Sequence, residues 1–214
     1  MSVKFFSELI GTAFLLMIVV GSGIMAQNLF PGQTGAALLA NSIATGAGLF
    51  VLIQSLGPIS GAHFNPAVSL IELLWKRLSQ KEALFYIIAQ FIGAYLGTLL
   101  THVMFDQSVF QISGNDRTGL NLFVSEAVAT FGLISVIALS GKKHVEFAPM
   151  SIAAYIVAAY WFTSSTSFAN PAVTFGRIFT DTFTGIAPNG VLYFWGAQII
   201  GALLAWGLLK KIKV

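Results

Sequence analysis

Long unbroken runs of apolar residues, separated by short polar connections, dominate this chain. Six runs are long enough to cross a bilayer, approximately Phe5 to Met25, Ala36 to Leu56, Ala83 to Phe105, Leu122 to Leu139, Phe147 to Phe162 and Val191 to Leu209. About 20 apolar residues in a helix cover a hydrocarbon core. A closed barrel also satisfies its backbone in lipid, but it needs short strands of alternating polarity. The run Phe14-Leu15-Leu16-Met17-Ile18-Val19-Val20 does not alternate, so the spans are predicted as helices. The first run exceeds the about 7 to 15 residues of a signal-peptide core, and the stretch from Gly23 to Gln27 makes a poor cleavage site, so it reads as a retained span.

The same polarity pattern repeats. Ser7-Glu8-x-x-x-Thr12 recurs as Ser125-Glu126-x-x-x-Thr130, and Asn65-Pro66-Ala67-Val68 as Asn170-Pro171-Ala172-Val173. Ala89-Gln90-x-Ile92-Gly93-Ala94-x-Leu96 recurs as Ala197-Gln198-x-Ile200-Gly201-Ala202-x-Leu204, with the order of landmarks kept. Each copy holds three spans, an odd number, so the second copy must enter the membrane from the opposite side. This predicts an all-α inverted-topology repeat, with copies at approximately 1–105 and 120–214 inside a single membrane domain covering 1–214.

Each Asn-Pro-Ala opens an apolar stretch too short to span, Pro66 to Trp75 and Pro171 to Phe179, each about 15 Å long as a helix. Asparagine is a preferred helix cap and proline a preferred first residue, so these are predicted as half-helices starting at Asn65 and Asn170. Inversion makes them dip in from opposite faces and meet near the midplane. Two helix N-termini there disfavour cations. A capping asparagine uses its side-chain oxygen on its own helix, so each amide NH₂ is expected to be free to donate into a lumen, which suits an uncharged solute with oxygen lone pairs.

Composition sharpens the class. Of 214 residues, 56% are hydrophobic and 9% charged, against about a quarter charged in soluble domains. Cysteine is absent, which removes disulfides, thiolate metal sites and thiol nucleophiles. The net charge of +3 could signal nucleic acid if the basic residues clustered on one solvated face. Instead Lys4, Lys76, Arg77, Lys81, Lys142, Lys143, Lys210, Lys211 and Lys213 are spread over four short segments on one side of a six-span arrangement, leaving only Arg117 and Arg177 on the other. The positive-inside rule then places both termini in the cytoplasm of a multi-pass cell-membrane protein, and no nucleic-acid partner is expected.

Gly61-Ala62-His63-Phe64-Asn65-Pro66-Ala67-Val68 and Asn170-Pro171-Ala172, at matching places in a six-span inverted repeat, resemble the aquaporin and aquaglyceroporin (major intrinsic protein) family over essentially the whole chain. The resemblance implies passive conduction of water or small neutral solutes, no enzymatic activity, no cofactor or metal, and a homotetramer with one pore per protomer. It also implies pore motifs at Asn65, Pro66, Ala67, Asn170, Pro171 and Ala172. In most members an arginine follows the second motif and anchors the outer filter; Val173 stands here. A gapless count puts the other filter positions at Thr45, Ala158 and Ser167, all small, which predicts a wide filter without a fixed charge. Glycerol channels typically follow the second motif with Arg-Asp, and this chain has Val173-Thr174. Similar arginine-less motifs occur in bacterial members associated with metalloid transport, which makes arsenous acid a candidate solute beside glycerol-like ones.

Arg177 lies one helical turn beyond Val173. It reads either as a displaced filter residue, which would accompany strict water selectivity, or as an interfacial cation pairing with Asp181 or reaching headgroups; the second reading is adopted. Glu8 and Glu126 lie within spans, where carboxylates are costly. Their matched placement favours supporting the re-entrant loops over relaying protons. His63 is expected to line the pore as a neutral donor and acceptor rather than a gate. Two other classes are weighed. A proton-coupled transporter needs a titratable group at the midplane, where asparagines are expected, and an intramembrane enzyme lacks any zinc signature or partnered nucleophile.

Overall fold

The computed structural model describes residues 2–143 and 145–212; Lys213 and the side chains of Lys142 and Lys143, counted above for orientation, lie outside the described residues. Among the described residues eight α-helices follow one another: α1 (Ser2–Leu29), α2 (Thr34–Ser60), α3 (Pro66–Leu74), α4 (Gln80–Met104), α5 (Leu120–Lys143), α6 (Ala148–Phe162), α7 (Pro171–Gly176) and α8 (Pro188–Lys211). Six are long and apolar enough to cross a membrane, α6 together with the 3₁₀ turn Val145–Phe147 that leads into it, and α3 and α7 are the two half-helices. Most spans run a few residues past their apolar stretches, and at two ends a cap sets the limit. Ser79 starts α4 with a capping box, its hydroxyl accepting from the Glu82 N–H at 3.2 Å. Gly61 closes α2 in the left-handed region at φ 88°.

The halves pack alike. Helix α1 lies on α4 and α5 on α8, while α2 meets α6 across the halves. The close approach requires glycine. A Cβ on Gly93 or Gly97 would strike the carbonyls of Leu9 or Ala13 in α1, and one on Gly201 would strike the Ala127 carbonyl in α5. These contacts fall next to Glu8 and Glu126, so the tightest packing sits where the carboxylates must be held. Thr12 and Thr130 donate back to the carbonyls of Glu8 and Glu126 at 2.7 and 2.9 Å, again in register. The outward faces carry side chains such as Phe6, Phe14, Leu100 and Leu204, which suit a lipid solvent. Helix α7 tightens into a 3₁₀ turn over Arg177–Phe179, a detail the sequence pattern did not give.

Candidate functional site

The half-helices start from residues held in extended conformation, Asn65 at φ −153° and Asn170 at φ −158°. Asn65 Oδ1 accepts from the Ala67 N–H at 2.9 Å; Asn170 Oδ1 accepts from Ala172 at 2.9 Å and Val173 at 3.3 Å. The expectation that each amide NH₂ is wholly free is corrected. Asn65 Nδ2 donates to the Ala169 carbonyl and Asn170 Nδ2 to the Phe64 carbonyl, both at 2.8 Å. An amide nitrogen has two N–H groups, so one per asparagine remains for the lumen. The other ties each re-entrant loop to its counterpart.

Those loops are strained. Gly61, Ala62 and Phe64 in one, and Thr166, Ser167 and Ala169 in the other, have positive φ, which costs roughly 1–2 kcal/mol for each non-glycine residue. What holds them is a carboxylate apiece. Glu8 Oε1 accepts from Ser60 Oγ at 2.6 Å and the His63 N–H at 3.0 Å, and Oε2 from the Phe64 N–H and Gln90 Nε2, both at 2.7 Å. Glu126 Oε1 accepts from Ser165 Oγ at 2.6 Å and the Phe168 N–H at 2.8 Å, and Oε2 from the Ala169 N–H at 2.8 Å and Gln198 Nε2 at 2.7 Å. A carboxylate offers about four acceptor positions, and all are taken. Both side chains are 0% exposed, and neither lines the central cavity.

That cavity, about 290 Å³, passes the asparagine junction. On the α3 side it is lined by His63, Val68 and Glu72, at the middle by Asn65 and Asn170, and beyond α7 by Thr45, Tyr160, Ser167, Phe168, Val173 and Arg177. Leu15, Val19, Leu49, Ile53 and Leu133 give it apolar walls. His63 Nδ1 pairs with Ser69 Oγ at 3.0 Å, and its ring meets Tyr86 edge-on at 5.1 Å.

Two expectations fail here. Ala158 is exposed and does not line the cavity; α6 presents Ile152, Ile156 and Tyr160 instead, four residues apart on one face. The gapless count carried an error of two residues through the irregular segment before Asn170, and α6, apolar on every side, offered no periodic signal to correct it. The residues around Thr45 are therefore not all small, since the Tyr160 ring stands beside it with its hydroxyl 3.2 Å from Thr45 Oγ1. Second, Arg177 neither pairs with Asp181 nor reaches headgroups. It is 3% exposed, its Nε donates to the Thr184 carbonyl, and its Cζ lies 3.4 Å from the Phe168 ring centroid. Asp181 Oδ1 instead accepts from the Gly114 N–H at 2.9 Å.

Beyond Arg177 a basin of about 770 Å³ opens, lined by Gln27, Asn115, Asp116, Arg117, Asp181 and Thr182 among others. Arg117 Nε donates to the Gly185 carbonyl at 2.8 Å, and His102 bridges the Val109 carbonyl and Thr180 Oγ1 at 2.9 and 3.0 Å. Tyr160, Phe168 and His102 escaped the sequence reading, which used Arg117 only for orientation, and none of the four carried a local pattern that marked it as part of a site. Among the described residues no group of three or more His, Asp or Glu could hold a metal ion.

Six apolar helices around a lumen that two half-helices enter define a membrane channel. Residues 1–167 match the family described as Major intrinsic protein, and the chain belongs to that family, whose members are channels for water and small solutes rather than enzymes. It is 50% identical over 204 residues to Aquaglyceroporin AqpS of Rhizobium meliloti, covering 95% of this chain and 87% of that one. Aquaporin Z of Rhodopseudomonas palustris is 33% identical over 228 residues, with 98% and 92% covered. The fold matches the X-ray structure of the aquaglyceroporin from Plasmodium falciparum with a TM-score of 0.78, over 99% of this chain and 96% of that one; at 23% identity the likeness is one of fold alone.

Proposed function

We propose that the chain passively conducts water and small uncharged hydroxylated solutes, glycerol-like molecules or metalloid hydroxides such as arsenous acid. The observation that carries this is the asparagine junction, where two helix N-termini and two asparagine amides face a lumen that Leu15, Val19, Leu49, Ile53 and Leu133 wall with apolar side chains. Donors fixed there replace part of a solute's hydration, and the positive helix ends oppose cations. The pore motifs are Asn65-Pro66-Ala67 and Asn170-Pro171-Ala172. Thr45, Ser167 and Val173 form the outer filter together with Tyr160 and Arg177, and Glu8 and Glu126 support the loops. Similarity to a protein called an aquaglyceroporin supports solutes larger than water.

The unit is one channel domain, residues 1–214, built from the copies at approximately 1–105 and 120–214. We place it in a cell membrane with both termini cytoplasmic, on the basic-residue asymmetry, and in a homotetramer, on the family resemblance. A second reading, strict water selectivity, is favoured by the Arg177 guanidinium on the lumen. Stopped-flow light scattering on proteoliposomes separates the two. Water, glycerol and arsenous acid should all equilibrate faster than through protein-free vesicles. Water alone doing so would establish the second reading, and no acceleration of any would overturn both.

A further inference from the structure

Arg177 is a buried cation anchored by little. Among the described residues it has no acidic partner, and of its N–H groups only Nε–H has a protein acceptor, the Thr184 carbonyl. One hydrogen bond near the pivot of a guanidinium leaves its far edge free to swing. The ring of Phe168 removes that freedom, because the guanidinium carbon rests 3.4 Å from the ring centroid, in stacking contact.

The ring itself is held on several sides. Phe168 is 4% exposed, its N–H donates to Glu126 Oε1 at 2.8 Å, and its edge meets Phe194 at 4.8 Å and 65°. Ile186 and Val191 close the same apolar cluster. On the basin side Arg117 comes to 5.2 Å from the ring centroid, fixed by the carbonyls of Gly185 and Phe183. A second cation there repels Arg177 and discourages it from turning outward toward Asp116 or Asp181 in the basin. Phe168 thus converts the rigidity of the Glu126-clamped loop into a fixed position for a charge on the lumen. It is one residue past Ser167, outside the positions a motif-based count assigns to the filter.

We infer that Phe168 is a positioning residue for solute size selectivity, holding the Arg177 guanidinium at the lumen edge so that its place limits what passes. The inference rests on the channel reading proposed above. The readout is the ratio of glycerol to water permeability in proteoliposomes, measured for the wild type, Phe168→Leu, Phe168→Tyr, Arg177→Gln and the Phe168→Leu/Arg177→Gln double variant. Phe168→Leu should raise the ratio about 2- to 30-fold, the span a desolvated cation–ring contact allows. Arg177→Gln should raise it similarly, and the double variant no further, since both remove one device. Phe168→Tyr keeps the ring face and should keep the wild-type ratio, which a purely structural role for any bulky side chain would not single out. Phe168→Met, apolar but ringless, substitutes if the leucine variant does not fold. An unchanged ratio in the ringless variants, additive effects in the double variant, or a tyrosine variant that behaves like leucine would each overturn the inference. Water permeability in the same vesicles tests the channel reading separately, and its absence in the wild type would overturn that reading and this inference together.

Discussion

Glu8 and Glu126 each gather four donors at 0% exposure, with no basic side chain among them. Removing one carboxylate orphans its donors at about 1–3 kcal/mol each. Glu126→Ala leaves four unpaired and should fail to fold or melt far below wild type. Glu126→Gln keeps one acceptor oxygen and should fold with a lower melting temperature and residual water conduction. Thermal melts beside stopped-flow traces check this; a glutamine variant of wild-type stability with no transport would point to proton relay instead. Asn170→Leu deletes the cap of α7, the bond to the Phe64 carbonyl and a lumen donor together, so water permeability should fall at least about tenfold, if each lost hydrogen bond is worth about 1 kcal/mol. Both carboxylates and both asparagines were legible because repetition flagged them and each residue type has few reasons to lie in a membrane. Their cross-loop partners were not, since a bond from Asn65 to a carbonyl 104 residues away leaves no local pattern. Arg177 was misread for a related reason, because its partners Thr184 and Phe168 are brought to it by loops of no fixed periodicity.

Helices in this fold approach one another at glycines, and the positions are not equivalent. A Cβ on Gly201 would fall on the Ala127 carbonyl, which is backbone and cannot turn away, whereas one on Gly207 would meet nothing within 4 Å. Gly201→Val should therefore separate α5 from α8 and pull Glu126 off its loop, costing at least the about 1–3 kcal/mol of ordinary overpacking. Gly207→Ala should be neutral or stabilise by up to about 1 kcal/mol through helix propensity. Melting curves of the two purified variants test the contrast, and equal effects would mean that interhelical contact does not set the glycine requirement. The six long elements and both half-helices were readable from hydropathy and from Asn-Pro, since the bilayer fixes span length and the cap fixes the start. What hydropathy could not place was the face each helix turns inward. Helix α6 is apolar on all sides, so whether Ala158 or Tyr160 looks into the lumen depended on packing against α2 and α5.

The whole molecule is two inverted halves joined at their centre. A transporter of alternating access rocks one half against the other around a central site, and any such motion here must break the 2.8 Å bonds from Asn65 to Ala169 and from Asn170 to Phe64. It would also strain loops whose backbone donors are locked on Glu8 and Glu126. Breaking both cross-loop bonds inside an apolar surround would cost about 2–6 kcal/mol per cycle, with nothing at the junction to supply it. The titratable groups on the lumen are His63 and Glu72 on the α3 side and Tyr160 and Arg177 beyond α7, whereas the two side chains that meet at the junction itself are amides and carry no titratable proton. The structure therefore favours a static path. Solute flux should rise linearly with its gradient and without saturation. An imposed pH gradient should change neither the direction nor the end point of glycerol equilibration in proteoliposomes. Accumulation of labelled glycerol above its external concentration when the vesicle interior is made alkaline would require a coupled, moving mechanism, and the rigid junction could not be its centre.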